Sequence, residues 1–175
     1  MKQFFKEVGQ ALIPMIIAVI LVLIVKEFFF YPVRISGDSM YPFLQNGERA
    51  IVQRNTKIKR DDIVVFPGPD SPKDEYIKRI IGLPGDEVTY KNNQLYINGQ
   101  KIDESKRAIT ESDDFTLQNL TGQKVVPDGY YFVLGDNRPV SKDSRYFGFI
   151  SDEDIDGVAK FRFWPFSKWG SLTNK

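Results

Sequence analysis

From residue 11 to residue 25 the chain reads ALIPMIIAVILVLIV, with no charge and no polar face at helical spacing. Alone, this run makes about 22 Å of helix, short of a hydrocarbon core of about 30 Å. Extended from Val8 through Phe28–Tyr31, it is long enough to span. Lys26 and Glu27 then fall near the far interface, where a lysine can snorkel, and Phe28, Phe29, Phe30 and Tyr31 form an aromatic group at headgroup depth. Pro14 is tolerated near the start of a membrane helix. A cleaved signal peptide would share the charged start and the apolar run, but KEFFFYPVR follows where a small-x-small cleavage site would be needed. A buried core helix is the other alternative. The pattern favours an uncleaved anchor over residues 1–31. Lys2, Lys6 and the terminal amine favour a cytoplasmic N-terminus, which puts residues 32–175 on the extracytoplasmic face of the cell membrane.

Beyond Pro32 the period changes from helix to strand. Short runs of branched and aromatic residues alternate with turn signals. They predict strands over Arg49–Gln53, Asp62–Phe66, Glu75–Ile81, Glu87–Tyr90, Gln94–Ile97, Gln100–Ile102, Tyr130–Leu134 and Val158–Phe163. Asn98-Gly99, between two alternating runs, is a strong signal for a two-residue hairpin. Residues 66–72, FPGPDSP, read as a loop, and residues 103–128 as the least ordered part. No Pro/Gly/Ser linker divides the β region. The expected fold is therefore mainly β: one antiparallel β-rich domain over 32–175, carried on a single N-terminal transmembrane helix.

Composition removes more chemistry than it suggests. With 24 basic and 23 acidic side chains the net charge is +1, so there is no electrostatic case for nucleic acid. Cysteine is absent, which excludes a disulfide framework, a thiol nucleophile and Cys-based metal sites. Histidine is absent too, which removes the Ser-His-Asp triad and the commonest zinc ligand together. No cofactor is implied.

Three stretches remain that can carry chemistry. In ISGDSMYPFL, residues 35–44, Ser39 sits in a bend made possible by Gly37. Ser39 is a candidate nucleophile, with a plain turn as the alternative, and Met40 and Leu44 are candidate core residues. In DEYIKRIIGLPGD, residues 74–86, strand alternation puts Tyr76, Lys78 and Ile80 on one face and Ile77, Arg79 and Ile81 on the other. Each face is apolar with one cation, as in a strand buried on both sides. Arg79 cannot lose its proton at any useful pH. Lys78 can, if burial disfavours the ammonium; moving a lysine from about 10.4 to 7–8 takes about 4 kcal/mol. Two snorkelling cations on an edge strand are the alternative. In GDNRPVSKDSRYFG, residues 135–148, a polar loop follows the apolar run YYFVL. Its ligand positions do not fit a calcium loop, since Arg138, Val140 and Phe147 occupy the third, fifth and twelfth places. A hydrogen-bonded network of Asp and Arg that orients a hydroxyl fits better, against a solvated surface loop as the bland reading. A serine without histidine can be activated by a neutral lysine amine, so the three stretches are compatible with one site.

The order membrane segment, S-G-D-S-M-x-P, Y-I-K-R-x-x-G-x-P-G-D and G-D-N-R-x-x-S-x-D-S-R-x-x-G resembles the type I signal peptidases, and it covers nearly the whole chain. These are membrane serine proteases that remove signal peptides from exported preproteins. The resemblance implies a signal-peptidase-like catalytic domain, with Ser39 as nucleophile and Lys78 as general base. It makes Ser141 the serine whose hydroxyl orients that lysine, and Asp136, Asp143 and Arg145 its bracing polar residues. Residues flanking the motifs shape small pockets for the residues before the cut, here Ile35, Met40, Tyr76 and Ile77, which would admit alanine and reject bulk. Its partners would be signal peptides of secreted preproteins and the lipid bilayer. The compact spacing between the second and third motifs suggests a Gram-positive-type member. Two departures stand out. Gly37 occupies the position where some members place a serine hydroxyl as second oxyanion donor. Phe43 follows the proline where a small hydroxyl residue is common; it either repacks the bend or adds an apolar contact with lipid. The aromatic FRFWPFSKW, residues 161–169, reads as a core strand ending in a loop, as a face dipping into the membrane interface, or as both. The competing functions are a soluble Ser-Lys autoprotease like the self-cleaving repressors, and a non-catalytic accessory protein that binds exported proteins.

Overall fold

The computed structural model describes residues 2–104 and 111–173, with side chains of the first helix described at 12–24 and 28–29. That helix, α1, runs Lys2–Phe29. Its large apolar side chains from Leu12 to Ile24 are all exposed, none less than 44%. Among the described residues no helix is long and apolar enough to cross a membrane. The described apolar stretch, residues 12–24, gives about 20 Å of helix, and a crossing needs about 30 Å. Lys2 and Lys6, on which the orientation argument rests, and Lys26 and Glu27, which would mark the far interface, lie outside the described side chains. The expected extension through Tyr31 is corrected by the chain itself. Helix stops at Phe29 and strand β1, Phe30–Arg34, begins. β1 pairs antiparallel with β2, Arg49–Gln53, matching Tyr31 to Val52 and Pro32 to Ile51. Pro32 is compatible with this because β1 lies at the edge of its sheet, where one side of the strand needs no ladder donor.

The larger sheet is built from β1, β2, β3 (Ile63–Gly68), β4 (Ser71–Gly82), β9 (Tyr130–Leu134), β10 (Ile150–Ser151) and β11 (Gly157–Trp164), in the order β1-β2-β11-β3-β4-β9-β10, with β12 (Gly170–Ser171) paired to β11. The smaller sheet takes β5 (Val88–Lys91), β6 (Gln94–Ile97), β7 (Gln100–Lys101) and β8 (Phe115–Thr116) in the order β7-β6-β5-β8. All the pairings are antiparallel. β2, β6 and β9 match the predicted strands residue for residue, and Asn98-Gly99 closes the β6–β7 hairpin.

Residues 103–128 differ from expectation. Residues 105–110 lie outside the described residues, but β8 and helix α2, Leu117–Thr121, follow them. Phe115, Leu117 and Val126 are buried in the core between the small sheet and β9. Isolated apolar residues in a polar stretch have no period to betray them, yet each fills a place in that core.

β4 positions the site. Its first half is largely exposed, while residues 77–82 are buried on both faces. Tyr76 and Ile80 pack with Val64, Phe66 and Val133, whereas Ile77 joins Val33, Ile35 and Val65, and Ile81 joins Val88 and Phe132. The two-faced alternation read from the sequence is the alternation that packs.

Candidate active site

Lys78 is 4% exposed, in the doubly buried half of β4. Its Nζ donates to Ser39 Oγ at 2.9 Å and to the Ile77 carbonyl at 3.0 Å. The ammonium also lies 5.0 Å from the Tyr76 ring centre. These neighbours are neutral. Burial therefore dominates and pushes the Lys78 amine down to about 8, with the Asp143 carboxylate pulling weakly the other way. Near neutral pH a useful fraction is free amine, able to accept the Ser39 proton.

Ser39 reaches Lys78 from a turn. Gly37 supplies φ +80, a left-handed conformation that suits glycine, and Tyr41 N–H donates to the Asp38 carbonyl. Met40 and Leu44 anchor the turn in the core at 1% and 0% exposure. Phe43 packs against that core and its ring lies 4.9 Å from the Arg79 guanidinium, so this departure repacks the bend.

The loop after β9 braces both. Arg79 clamps Asp136 through Nε (2.8 Å) and Nη2 (2.6 Å), with both side chains 1% exposed. Asp143, fully buried, accepts from Gly135 N–H and from Arg145 Nε and Nη2, and it caps helix α3, Ser144–Phe147. Arg145 Nη2 also donates to the Arg138 and Ser141 carbonyls. The expected contact between Ser141 and Lys78 is not made. Among the described residues Ser141 Oγ is buried without a hydrogen-bond partner, and Lys78 donates to Ser39 and Ile77. Sequence reading missed two residues here. Gly135 passes so close that a Cβ there would collide with Ser141 Oγ and with the Ser39 carbonyl. Asn137 donates to the Ser39 carbonyl from its main chain and to the Asp38 carbonyl from its side chain. Their signal in the sequence was their place in the G-D-N-R motif, which does not say what they contact.

Ser39 and Lys78 open onto a cleft of about 980 Å³, whose walls include Ser36, Gly37, Tyr76, Ile77 and Asn137. Beside it a recess of about 20 Å³, of the order of a methyl group, is formed by Val33, Ile35, Val65, Tyr76 and Ile77 with their neighbours. Three of the four expected pocket residues thus meet there. Met40 does not: it lines neither space, because the turn that presents Ser39 drives the next side chain into the core. The arrangement offers a hydroxyl nucleophile, an amine base and a narrow recess of mixed apolar and polar lining, the parts of an acyl-transfer site for small side chains.

At the C-terminal end, β11 is followed by an exposed aromatic cluster. Trp164, Phe166 and Trp169 are 46%, 70% and 60% exposed, with Trp164 edge-on to Phe166 and Phe161 edge-on to Trp169. The segment is a strand end half-buried over residues 161–163, followed by an exposed aromatic face. Burial raises the Glu48 carboxyl, but hydrogen bonds from Lys168 and Arg162 outweigh it and hold the group below its usual range. Arg162 also donates to the Phe43 carbonyl, which ties this end to the Ser39 turn.

A family model described as signal peptidase, peptidase S26, matches residues 8–164. Signal peptidase I of Bacillus caldolyticus is 42% identical over 168 residues, spanning 89% of this chain and 91% of that protein. Signal peptidase IB of Staphylococcus aureus (strain COL) is 40% identical and spans 94% of this chain and 93% of that protein. A crystal structure of a signal peptidase I from Enterococcus faecalis V583 is 45% identical and superposes with a TM-score of 0.53, covering 59% of this chain and 97% of that one.

Proposed function

The chain belongs to the signal peptidase family, peptidase S26, whose members remove signal peptides as serine proteases, and we propose that this member runs the reaction on Ser39 and Lys78. The observation that carries the proposal is the 2.9 Å contact between Lys78 Nζ and Ser39 Oγ, made by a lysine whose burial brings it down to about 8. Neutral Lys78 takes the Ser39 proton as Oγ attacks the scissile carbonyl, then gives it to the leaving amine. Water, deprotonated by Lys78, releases the acyl group. The Ser39 main-chain N–H is one donor to the oxyanion. The recess formed by Ile35, Tyr76 and Ile77 selects small side chains before the cut, of the Ala-x-Ala kind.

The same reading makes α1 a membrane anchor and the sheets that begin at Phe30 the extracytoplasmic catalytic domain. The exposed apolar surface of α1 supports it: a helix apolar all round is suited to lipid or to a protein core. The exposed Trp164, Phe166 and Trp169 suit a headgroup layer.

The test is cleavage of a purified preprotein bearing an Ala-x-Ala site, in detergent, by wild type, Ser39→Ala and Lys78→Ala. The expected result is a cut after the second alanine by wild type alone. Cutting by Lys78→Ala would remove the lysine from the mechanism, and a folded but inactive wild type would favour a binding protein instead.

A further inference from the structure

We propose that Asn137 is the positioning residue that aims the Ser39 main-chain N–H at the oxyanion; this rests on the Ser39–Lys78 reading above. Asn137 makes its contacts on both sides of Ser39. Its main-chain N–H donates to the Ser39 carbonyl at 3.0 Å, and its side-chain amide donates to the Asp38 carbonyl at 3.1 Å. Its own carbonyl accepts from Val140 and Ser141 N–H, which fixes Asn137 within its loop.

A peptide unit is planar and trans, so its carbonyl and the following N–H point in opposite directions. Pinning the Asp38 carbonyl therefore sets the direction of the Ser39 N–H. Pinning the Ser39 carbonyl sets the next plane. With both planes held, φ and ψ at Ser39 are held, and so is the direction of its Cβ and hydroxyl. Ser39 N–H donates to no acceptor among the described residues, and Ser39 lines the cleft. Its donor is available where charge develops on the substrate.

The need for such a holder follows from the turn. Gly37 lies two residues before Ser39 at φ +80 and contributes no side chain. The other main-chain tie on the Asp38 carbonyl is the Tyr41 N–H, within the same turn. Asn137 is the side chain that ties this peptide plane to a different part of the fold. Removing an oxyanion donor costs about 10²–10³ in rate, and a displacement of about 1 Å can cost about 10². Ground-state binding in the cleft and recess does not depend on this N–H.

Asn137→Ala should lower kcat by about 10- to 100-fold with KM within about threefold. Asn137→Asp, the same shape with an acceptor facing a carbonyl, should lower kcat further. Two inhibitors of the same Ala-x-Ala sequence separate aim from fold, measured on the full chain in detergent. A peptide aldehyde forms a tetrahedral adduct with Ser39 and places an oxyanion; the matching alcohol cannot. The variants should lose aldehyde affinity by the factor lost in kcat and keep alcohol affinity. Unchanged kcat, or equal loss for aldehyde and alcohol, would overturn the role assigned to Asn137. Should Asn137→Ala not fold, judged by its thermal transition, the same pair of inhibitors on Asn137→Asp decides between aim and fold. Ser39→Ala and Lys78→Ala run alongside: their inactivity with an unaffected Asn137 variant rejects the positioning role only, while their activity rejects the Ser-Lys reading itself.

Discussion

The two faces of β4 each bury one cation, and they treat it in opposite ways. Arg79 meets a carboxylate in two parallel bonds, a main-chain carbonyl of Asp61 and the ring of Phe43. Lys78, one residue earlier, meets a hydroxyl and the carbonyl of its neighbour. A paired buried charge is held in its charged form; an unpaired one is driven toward neutrality. Burial is common to both sites, and the counter-charge distinguishes them. Adjacent residues of one strand thus suit different parts, Arg79 a brace and Lys78 the proposed base, because strand geometry sends them to different surroundings.

The largest effect should come from taking away the amine. Lys78→Ala should lower kcat/KM by about 10⁴-fold or more while the thermal transition stays cooperative. Lys78→Arg sharpens the comparison, since it keeps the charge and loses the ability to deprotonate. If Lys78→Arg retained more than a few per cent of activity, a fixed charge would suffice at that position and the contrast with Arg79 would collapse.

Breaking the pair on the other face should act on stability. Asp136→Ala leaves Arg79 buried without its carboxylate, at a cost of about 3–5 kcal/mol. Replacing both, Arg79→Met with Asp136→Leu, should recover much of that. Denaturant titration of the two single variants and the double variant reads the coupling. Additive losses would mean that the bidentate contact contributes nothing as a pair.

How far these roles were legible depends on what each residue's environment is made of. The two-faced burial of β4 was visible in the alternation YIKRII, because apolar residues on both faces of a strand require cover above and below the sheet. That Arg79 would find Asp136 was visible only in kind, as Asp and Arg in one loop; the partner is set by the β4–β9 register, which brings Arg79 opposite Leu134. Met40 was open to a core and a pocket reading, and the core reading holds; its sequence position beside Ser39 says nothing about which way the turn points. β1 was misread because FFFY is equally good as an interfacial aromatic group and as an edge strand. Asn137 stood in G-D-N-R as one polar group among several, but its partners were not legible, since they are two carbonyls of a distant turn.

A smaller effect tests the recess. Ile77 lines it from the Arg79 face of β4, with Ile35 and Val65. Ile77→Ala should enlarge it by about three methyl-sized groups and raise kcat/KM for a substrate with valine or leucine in place of one alanine by about 10-fold. Competition between the two preproteins in one tube measures the ratio. A ratio unchanged from wild type would place the selection for small residues elsewhere in the cleft.

The finest test is the pH dependence. With Lys78 at about 8, kcat/KM should rise about tenfold per pH unit below that value and level off above it. Stability has its own signature. The unfolded lysine titrates near 10.4 and the folded one lower, so the unfolded state holds more protons between about 8 and 10.4. Below pH 8 both states are charged and the full cost of burying the ammonium is present. As pH rises from about 8 to 10.4 that cost, about 3 kcal/mol, is relieved and the native state gains. Arg79 stays charged throughout and adds no such slope. The thermal midpoint of wild type should therefore rise across this window relative to Lys78→Met, in which the titrating group is gone. Parallel curves for the two proteins would mean that Lys78 carries no depressed titration in the folded state, and the distinction between the two faces of β4 would then have to be sought in geometry alone.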